Sequence, residues 1–446
     1  MHKLVNTHKL VLGLLVLALA SFADTLSLEQ CLSEALKHNK QLQIQQNNVQ
    51  KTQQKKSEVR SKFFPNISIN ADYKYFVDLP HQLMPMNALN PMAPEGKFNA
   101  VQFGVAHNIN ANLQMAIPIY NPQLFNALQS TELATEMQKI LLEQSREQVV
   151  LDISNLYYNA QIIAQQLSFL TKNLQNAQKI HEQTQLLHAQ EMIKSTDVEK
   201  AQLQYQQIEL QIAMGQQKSA QILNAIKVQM GWNLDQNLQI DTAIALKDAQ
   251  DLEANIQQNT TAKLLSKKIS LAQTEVSQLR KKNWLPSLHL IGALGTQGFG
   301  YDKAPNEFLD FYALNFVGLQ LSYPLFAGNA SGTQIKQKSI EIQNLELQRQ
   351  ALDDKNTLSL INLQAEAANT SRNAQNLLEQ IALASKIHQQ TELLMSQGQA
   401  HLIDVISADL ELRQIQQSYL QEVISHLQAL LQIKQITGQL SGGFHE

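Results

Sequence analysis

A single cysteine, Cys31, leaves this chain of 446 residues without an internal disulfide, so packing must hold it together. Long apolar runs are missing too. Leu10 to Ala20 spans eleven residues, and nothing else approaches the roughly 18 to 20 that a membrane-crossing helix needs. Any membrane span must therefore be built of strands. Charged residues are only 16% and aromatics 6%, but 44% of the chain is apolar, which is enough to bury cores and argues against disorder. A net charge of −3 offers nothing to attract nucleic acid.

The first residues read as an export signal, residues 1–23. His2, Lys3 and Lys9 flank the apolar run, and Ser21-Phe22-Ala23 forms a small-x-small cleavage site, with cleavage after Ala20 the other option. Removing that leader takes away two lysines and no acid, which leaves a net charge of −5. Leu28-Glu29-Gln30 lacks the small residues that precede a lipidated cysteine. Cys31 is therefore expected on the apolar face of a first helix with Leu28, Leu32 and Leu36.

The strongest pattern is a repeated one. Ile153, Leu156, Ala160, Ile163, Leu167, Leu170, Leu174 and Ala177 step by three and four, the spacing of a coiled-coil seam. Leu360, Leu363, Ala367, Thr370, Ala374, Leu377, Ile381 and Ala384 repeat it at an offset of 207. The same seam written twice in one register predicts an internal duplication. The expected division is a first helix-strand-strand-helix repeat at 24–231, an equatorial linker at 232–254, a second repeat at 255–438 and a tail at 439–446.

Taken in order, helices are expected from Leu28 to Lys37 and from Lys40 to Lys62, with Pro65 as the stop. The period then changes to two: Ile67, Ile69, Ala71, Tyr73 and Tyr75 alternate with Asn66, Ser68, Asn70, Asp72 and Lys74. Residues 78–100 carry Pro80, Pro85, Pro91 and Pro94 and predict a long loop. Met84, Met86 and Met92 beside His81 would suit copper(I), but an exposed or partner-packed loop is the preferred reading and no metal site is assigned. Alternation resumes with Phe103, Val105, His107, Ile109, Ala111, Leu113, Met115 and Ile117 against asparagine and glutamine. A polar face of amides suits a water-filled lumen, with lipid or protein on the other side.

From Asn121 to His188 there is no Pro or Gly beyond Pro122, which predicts a helix of about 100 Å. A reversal at Glu191 to Ser195 leads into a returning helix from Thr196 to Gln229. Its seam holds Ala201, Tyr205, Ile208, Ile212, Ser219, Ile222 and Ile226, and Gly231 closes it. In the linker, Leu238 to Asp241 with Ala243 to Ala245 is expected to form a small peripheral strand. The second repeat answers the first: Leu285-Pro286 for Phe64-Pro65, Tyr323-Pro324 for Ile117-Pro118, Asp404-Val405 for Asp197-Val198 and Gly438 for Gly231.

Four strands with one apolar face cannot lie open in hydrocarbon, because edge backbone groups would have no partner there. The sheet must close by oligomerisation. A dimer of eight strands is the lower bound and a trimer of twelve the better fit to a wide lumen. The membrane-facing positions are Ile67, Ile69, Leu113, Met115, Leu288, Leu290, Leu319 and Leu321. The fold class expected is α+β: a membrane β-barrel with four strands per chain, continuous with a long α-helical coiled-coil barrel.

Over nearly all of its mature length the chain resembles the TolC family of outer-membrane efflux proteins. The resemblance rests on the duplicated plan, on the junctions Pro118-Ile119-Tyr120 and Pro324-Leu325-Phe326-Ala327-Gly328, and on the tips Glu191 to Val198 and Gly398 to Val405. It implies a homotrimer with a twelve-stranded barrel in the outer membrane and a helical barrel in the periplasm. It also implies docking of the tip to a periplasmic adaptor protein and an inner-membrane pump. Family tips place a Gly at the turn and Asp-Val after it; Gly398, Asp404 and Val405 match, as do Thr196, Asp197 and Val198, with Glu191 in place of the first Gly. The implied pore constriction is Asp404, Asp197 and Thr196, and the implied docking surface is Met192, Ile193, Val198, Gly398 and Val405. Ala400 and Met395 stand where family members can carry a locking Arg and Tyr, and Asn39-Lys40 and Asn259-Thr260 stand where Asn-Pro is common.

Three Asp404 carboxylates around a three-fold axis would favour cations, but Asp is also a common helix cap. Catalysis finds no support. His181-Glu182 begins an HExxH motif, yet Gln185 holds the second ligand position. Gly292, Gly295, Gly298 and Gly300 do not lie between a strand and a helix, as a phosphate loop would. No cofactor is expected. The function read from the chain is a passive exit duct of a tripartite efflux pump. The alternatives are a type I protein-secretion conduit and, from another class, a periplasmic coiled-coil scaffold without a pore.

Overall fold

A computed structural model describes residues 25–440 except 90–91, 93, 246–258, 283, 303, 305–306 and 326–328. The leader and its cleavage site, the linker's 246–254, Phe326-Ala327-Gly328 of the second junction and residues 441–446 of the tail lie outside the described residues. The elements are α1 (Leu28–His38), α2 (Lys40–Ser61), β1 (Asn66–Tyr75), β2 (His81–Pro85), α3 (Met86–Leu89), β3 (Phe98–Gln102), β4 (His107–Tyr120), α4 (Pro122–Ala189), α5 (Ser195–Gln229), α6 (Thr260–Lys282), β5 (Ser287–Tyr301), β6 (Phe308–Ser322), α7 (Ala330–Ser396) and α8 (Leu402–Ile436). They divide into two compact units, and α2, α4, α6 and α7 contribute to both.

The first unit holds α1, α5, α8 and the greater parts of α4 and α7. Its cores follow the seams. Ile153, Ala160, Ile163, Leu170 and Ala177 of α4 are buried, as are Leu360, Leu363, Ala367, Thr370, Ala374 and Ala384 of α7. Ile208 closes on Leu170 and Ala177, and Val423 and Leu427 close on Ala374. Cys31 is buried with Leu32, Ala35 and Tyr157, and burial pushes its thiol up to about 11, so it behaves as the apolar residue the sequence implied.

Asn39 explains the break between α1 and α2. Its Oδ1 accepts the amides of Gln41 and Leu42, capping α2, while its Nδ2 donates to the carbonyl of Gln229 at 2.8 Å. Asn259 caps α6 in the same way through Thr261 and Ala262, and its Nδ2 reaches the carbonyl of Ile436 at 3.4 Å. In the linker the expected small strand shrinks to one parallel bridge, Leu26 to Ile240.

The second unit holds a four-stranded antiparallel sheet in the order β1-β4-β5-β6, with the adjoining parts of α2, α4, α6 and α7. Strand β4 runs through Pro118 to Tyr120 rather than stopping at the proline. The register shifts between Pro118 and Tyr120, which is where a residue with no N–H is tolerated. Its start is His107, so Phe103 and Val105 fall outside it. The stretch 78–100 is not a plain loop: β2 and β3 pair antiparallel, from His81 opposite Gln102 to Pro85 opposite Phe98. Pro80, Pro85 and Pro94 sit at strand ends or beyond them, where they cost no ladder bond.

Candidate functional site

Two features carry the functional reading, and the first is the sheet. Because side chains alternate along a strand, register decides which residues share a face. Ile67 lies opposite Met115 and Ile69 opposite Leu113; Leu113 lies opposite Leu294, Leu290 opposite Leu319, and Leu288 opposite Leu321. All eight expected membrane-facing residues therefore fall on one face. That face is most open on the edge strands, where Ile69 is 79% exposed and Leu319 67%, while Met115, Leu288 and Leu290 of the inner strands are half-buried.

The opposite face agrees only in part. In β1 and β4 it is polar, with Ser68, Asn70, Asp72 and Lys74 beside Asn108, Asn110, Asn112 and Gln114. In β5 and β6 it is mixed, and Tyr312, Leu314 and Phe316 stand among Gln297, His289 and Gln320. The uniformly polar second face expected of all four strands stops at β4. Gly295, on the central strand β5, has the Ala111 carbonyl and Asn112 where a Cβ would stand, so the ladder closes there only around a glycine. At the strand end, His107 shares a hydrogen bond of 2.7 Å between its Nδ1 and the Tyr73 hydroxyl, with the two rings stacked, and its ring lies tilted against Tyr75.

The helical tips are the second feature. Glu191 and Gly398 both have left-handed backbone, φ 59° and 72°, and both turns close with the same pair of bonds. Glu191 N donates to the His188 carbonyl and Met192 N to Leu187; Gly398 N donates to Met395 and Gln399 N to Leu394. Asp404 accepts the backbone N–H of His401 at 2.9 Å from the third helical position, so it caps α8 from inside the first turn and is not itself the N-cap residue. Asp197 lies 3.6 Å from Lys200 on its own helix. Thr196 and Asp404 are exposed and Asp197 is half-buried.

Among the expected docking residues, Met192 and Gly398 are exposed and Ile193 and Val198 half-buried. Val405 is not available. It is fully buried with Ile180, Ala201 and Met395, beside Ala400 and Leu402. Met395 and Ala400, the positions where the family can carry its Tyr and Arg, thus supply apolar packing to the tip. Gln185, standing where a zinc ligand would be, is 3.0 Å from His181 Nε2. Among the described residues, no group of three or more His, Cys, Asp or Glu is placed to hold a metal ion.

Sequence reasoning missed a buried cluster on α8. Asp409 meets Arg413 on its own helix, Gln204 from α5 and His388 from α7. The signal is present in the sequence: Asp409 and Gln416 are one heptad apart on a seam with Val405, Leu412 and Tyr419.

Residues 31–232 match the family model described as outer membrane efflux protein. Outer membrane protein TolC of Salmonella enteritidis is 20% identical over 442 residues, covering 97% of this chain and 86% of that protein. Among solved structures, the CmeC outer membrane channel of Campylobacter jejuni matches with a TM-score of 0.72 at 14% identity, over 92% of this chain and 85% of its own. The outer membrane protein VceC of Vibrio cholerae matches at 0.69 and 14%, over 93% and 96%. The open state of the MtrE outer membrane channel of Neisseria gonorrhoeae matches at 0.69 and 12%, over 92% and 88%. At such identities the structural likeness is one of fold. By its sequence pattern over residues 31–232 and by its fold over nine-tenths of its length, the chain is similar to the TolC family of outer membrane efflux proteins.

Proposed function

We propose that this chain is an outer-membrane efflux channel, three copies of which form a passive exit duct for an inner-membrane pump and its periplasmic adaptor. The observation that carries the reading is a sheet whose four strands share one exposed apolar face and whose edges, β1 and β6, each have a single strand partner among the described residues. In hydrocarbon such edges need partners, and β6 of one copy meeting β1 of the next supplies them. Four strands are too few for a barrel; three copies give the twelve of a water-filled one. Lipid then lies against Ile67, Ile69, Leu113, Met115, Leu288, Leu290, Leu319 and Leu321.

The tips of α4/α5 and α7/α8 meet the adaptor through Met192, with Ile193, Val198 and Gly398 beside it. Thr196, Asp197 and Asp404 line the narrowest passage. Such a duct stores no energy and moves what the pump delivers.

The test is fractionation followed by reconstitution. The chain is expected in the outer-membrane fraction, extractable only with detergent, cross-linking to three times its own mass and conducting ions in a planar bilayer. A freely soluble monomer without conductance would overturn the assignment and favour a scaffold. Capture of the inner-membrane partner by cross-linking in cells then separates an efflux pump from a type I secretion system.

A further inference from the structure

The two returning helices have equal lengths, 35 residues each, but unequal surroundings. Helix α5 buries Ala201, Gln204, Ile208 and Ile226, while α8 is buried along most of its length. Three of the buried positions on α8 are polar: His426, which meets the Ala367 carbonyl of α7, and, one heptad apart, Asp409 and Gln416. Asp409 and Gln416 are each met by an amide from the first half of the chain. Gln204 Nε2 of α5 donates to Asp409 Oδ2 at 2.5 Å, and Asn173 Nδ2 of α4 donates to Gln416 Oε1 at 2.9 Å. At the offset of 207 the first-copy counterparts of Asp409 and Gln416 are Gln202 and Glu209, and both are exposed. The arrangement belongs to α8 alone.

Asp409 is the costly member. It is 1% exposed, as is His388, whose Nε2 lies 3.9 Å from Asp409 Oδ1. Arg413 Nε approaches Oδ2 at 2.9 Å, but from the same helix, so that pair travels with α8 and fixes nothing relative to a neighbour. Among the described residues, only Gln204 ties the carboxylate to the α4/α5 hairpin. A buried carboxylate that loses a donor is strongly penalised, whereas an apolar residue in its place would tolerate sliding.

We infer that Asp409 and Gln416 are register pins. They fix α8 against α5 and α4, and, given the duct reading above, they set the channel's conductance. A slip of α8 by one turn leaves Asp409 buried without Gln204 and Gln416 without Asn173, so one register is selected and its neighbours are disfavoured.

The experiment uses the purified full chain in detergent, spin-labelled through Glu199→Cys on α5 and Glu411→Cys on α8, both exposed positions, while Cys31 is buried. A narrow distance distribution is expected in this parent. Replacing Gln204 and Asp409 together by Leu should broaden the distance distribution, and because it leaves Arg413 without its carboxylate it is expected to lower thermal stability as well. In planar bilayers the parent's conductance level should lose about tenfold in occupancy to other levels. An unchanged distance distribution would overturn the inference. Should the double variant fail to assemble, Gln204→Leu alone keeps the Asp409–Arg413 pair and is read in the same way. A parent that does not conduct sinks the duct reading and leaves the distance test standing.

Discussion

Glu191 and Gly398, 207 residues apart, hold the same left-handed turn between a long helix and a returning one. Only glycine adopts that backbone without a Cβ conflict, so the first tip carries strain that the second does not. Glu191→Gly is therefore expected to stabilise the protein by about 1 kcal/mol, and Gly398→Ala to destabilise it by a similar amount. Thermal unfolding of the two variants side by side checks the sign.

Asp404 is engaged by the His401 amide, so its loss should cost stability whatever the pore requires. Asp404→Ala is expected to cost about 1 kcal/mol. If three Asp404 carboxylates also line the constriction, block of single-channel current by divalent cations should weaken in the same variant. Unchanged block with reduced stability would leave Asp404 as a cap alone.

The caps of α2 and α6 predict opposite responses to proline. Asn39 is extended, with ψ 123°, which is the backbone that a following proline demands, and Lys40 is the first residue of α2. Lys40→Pro should raise stability by about 0.4–1 kcal/mol. Thr260→Pro should lower it, because the Thr260 hydroxyl donates to Glu147 Oε2 at 2.6 Å. Denaturation midpoints of the pair decide the matter.

Glu147 is 5% exposed, and burial lifts its carboxyl above the ordinary 4.5, with the Thr260 hydrogen bond opposing the shift. A carboxyl raised on folding holds a proton that the unfolded chain has already released. Its contribution is full below about 4.5 and is lost as pH rises through the folded value. Glu147→Gln removes that dependence. The variant should unfold at a higher temperature than the parent at neutral pH, and the gap should close as the pH is lowered toward 4.5.

The two faces of the sheet should differ in what they tolerate. Leu319→Arg places a charge on the apolar face and is expected to cost about 2–4 kcal/mol near the bilayer centre. Asn70→Arg, on the opposite face of β1, should be accepted. The yield of assembled trimer in outer membranes is the readout, and equal yields would remove lipid from the apolar face.

The long helices were legible because a seam that repeats every three or four residues over eight positions admits one interpretation, and α4 begins and ends within a residue of where the sequence placed it. β1 was legible because ten residues alternate strictly. The hairpin β2–β3 was not, since five-residue strands are too short to show a period beside Pro80, Pro85 and Pro94. Neither was the burial of Val405. From the chain, a valine after Asp404 is equally consistent with a docking surface, and only the approach of Ile180 and Met395 reveals the core. Asp409 escaped for a related reason: one acid among polar helix residues looks solvated until the helices beside it are known.

Strand β4 takes its second partner, β5, from across the whole first pair of long helices, with His107 opposite Gly300. A chain that emerges in order therefore cannot give β4 its second partner until Tyr301 is out, or complete the sheet until Ser322 is, and ladders between such distant segments form slowly. Through that interval β1 and β4 have only each other, the edge of β4 that later takes β5 stays open, and the cell must keep it apart from other such strands by escort or by speed.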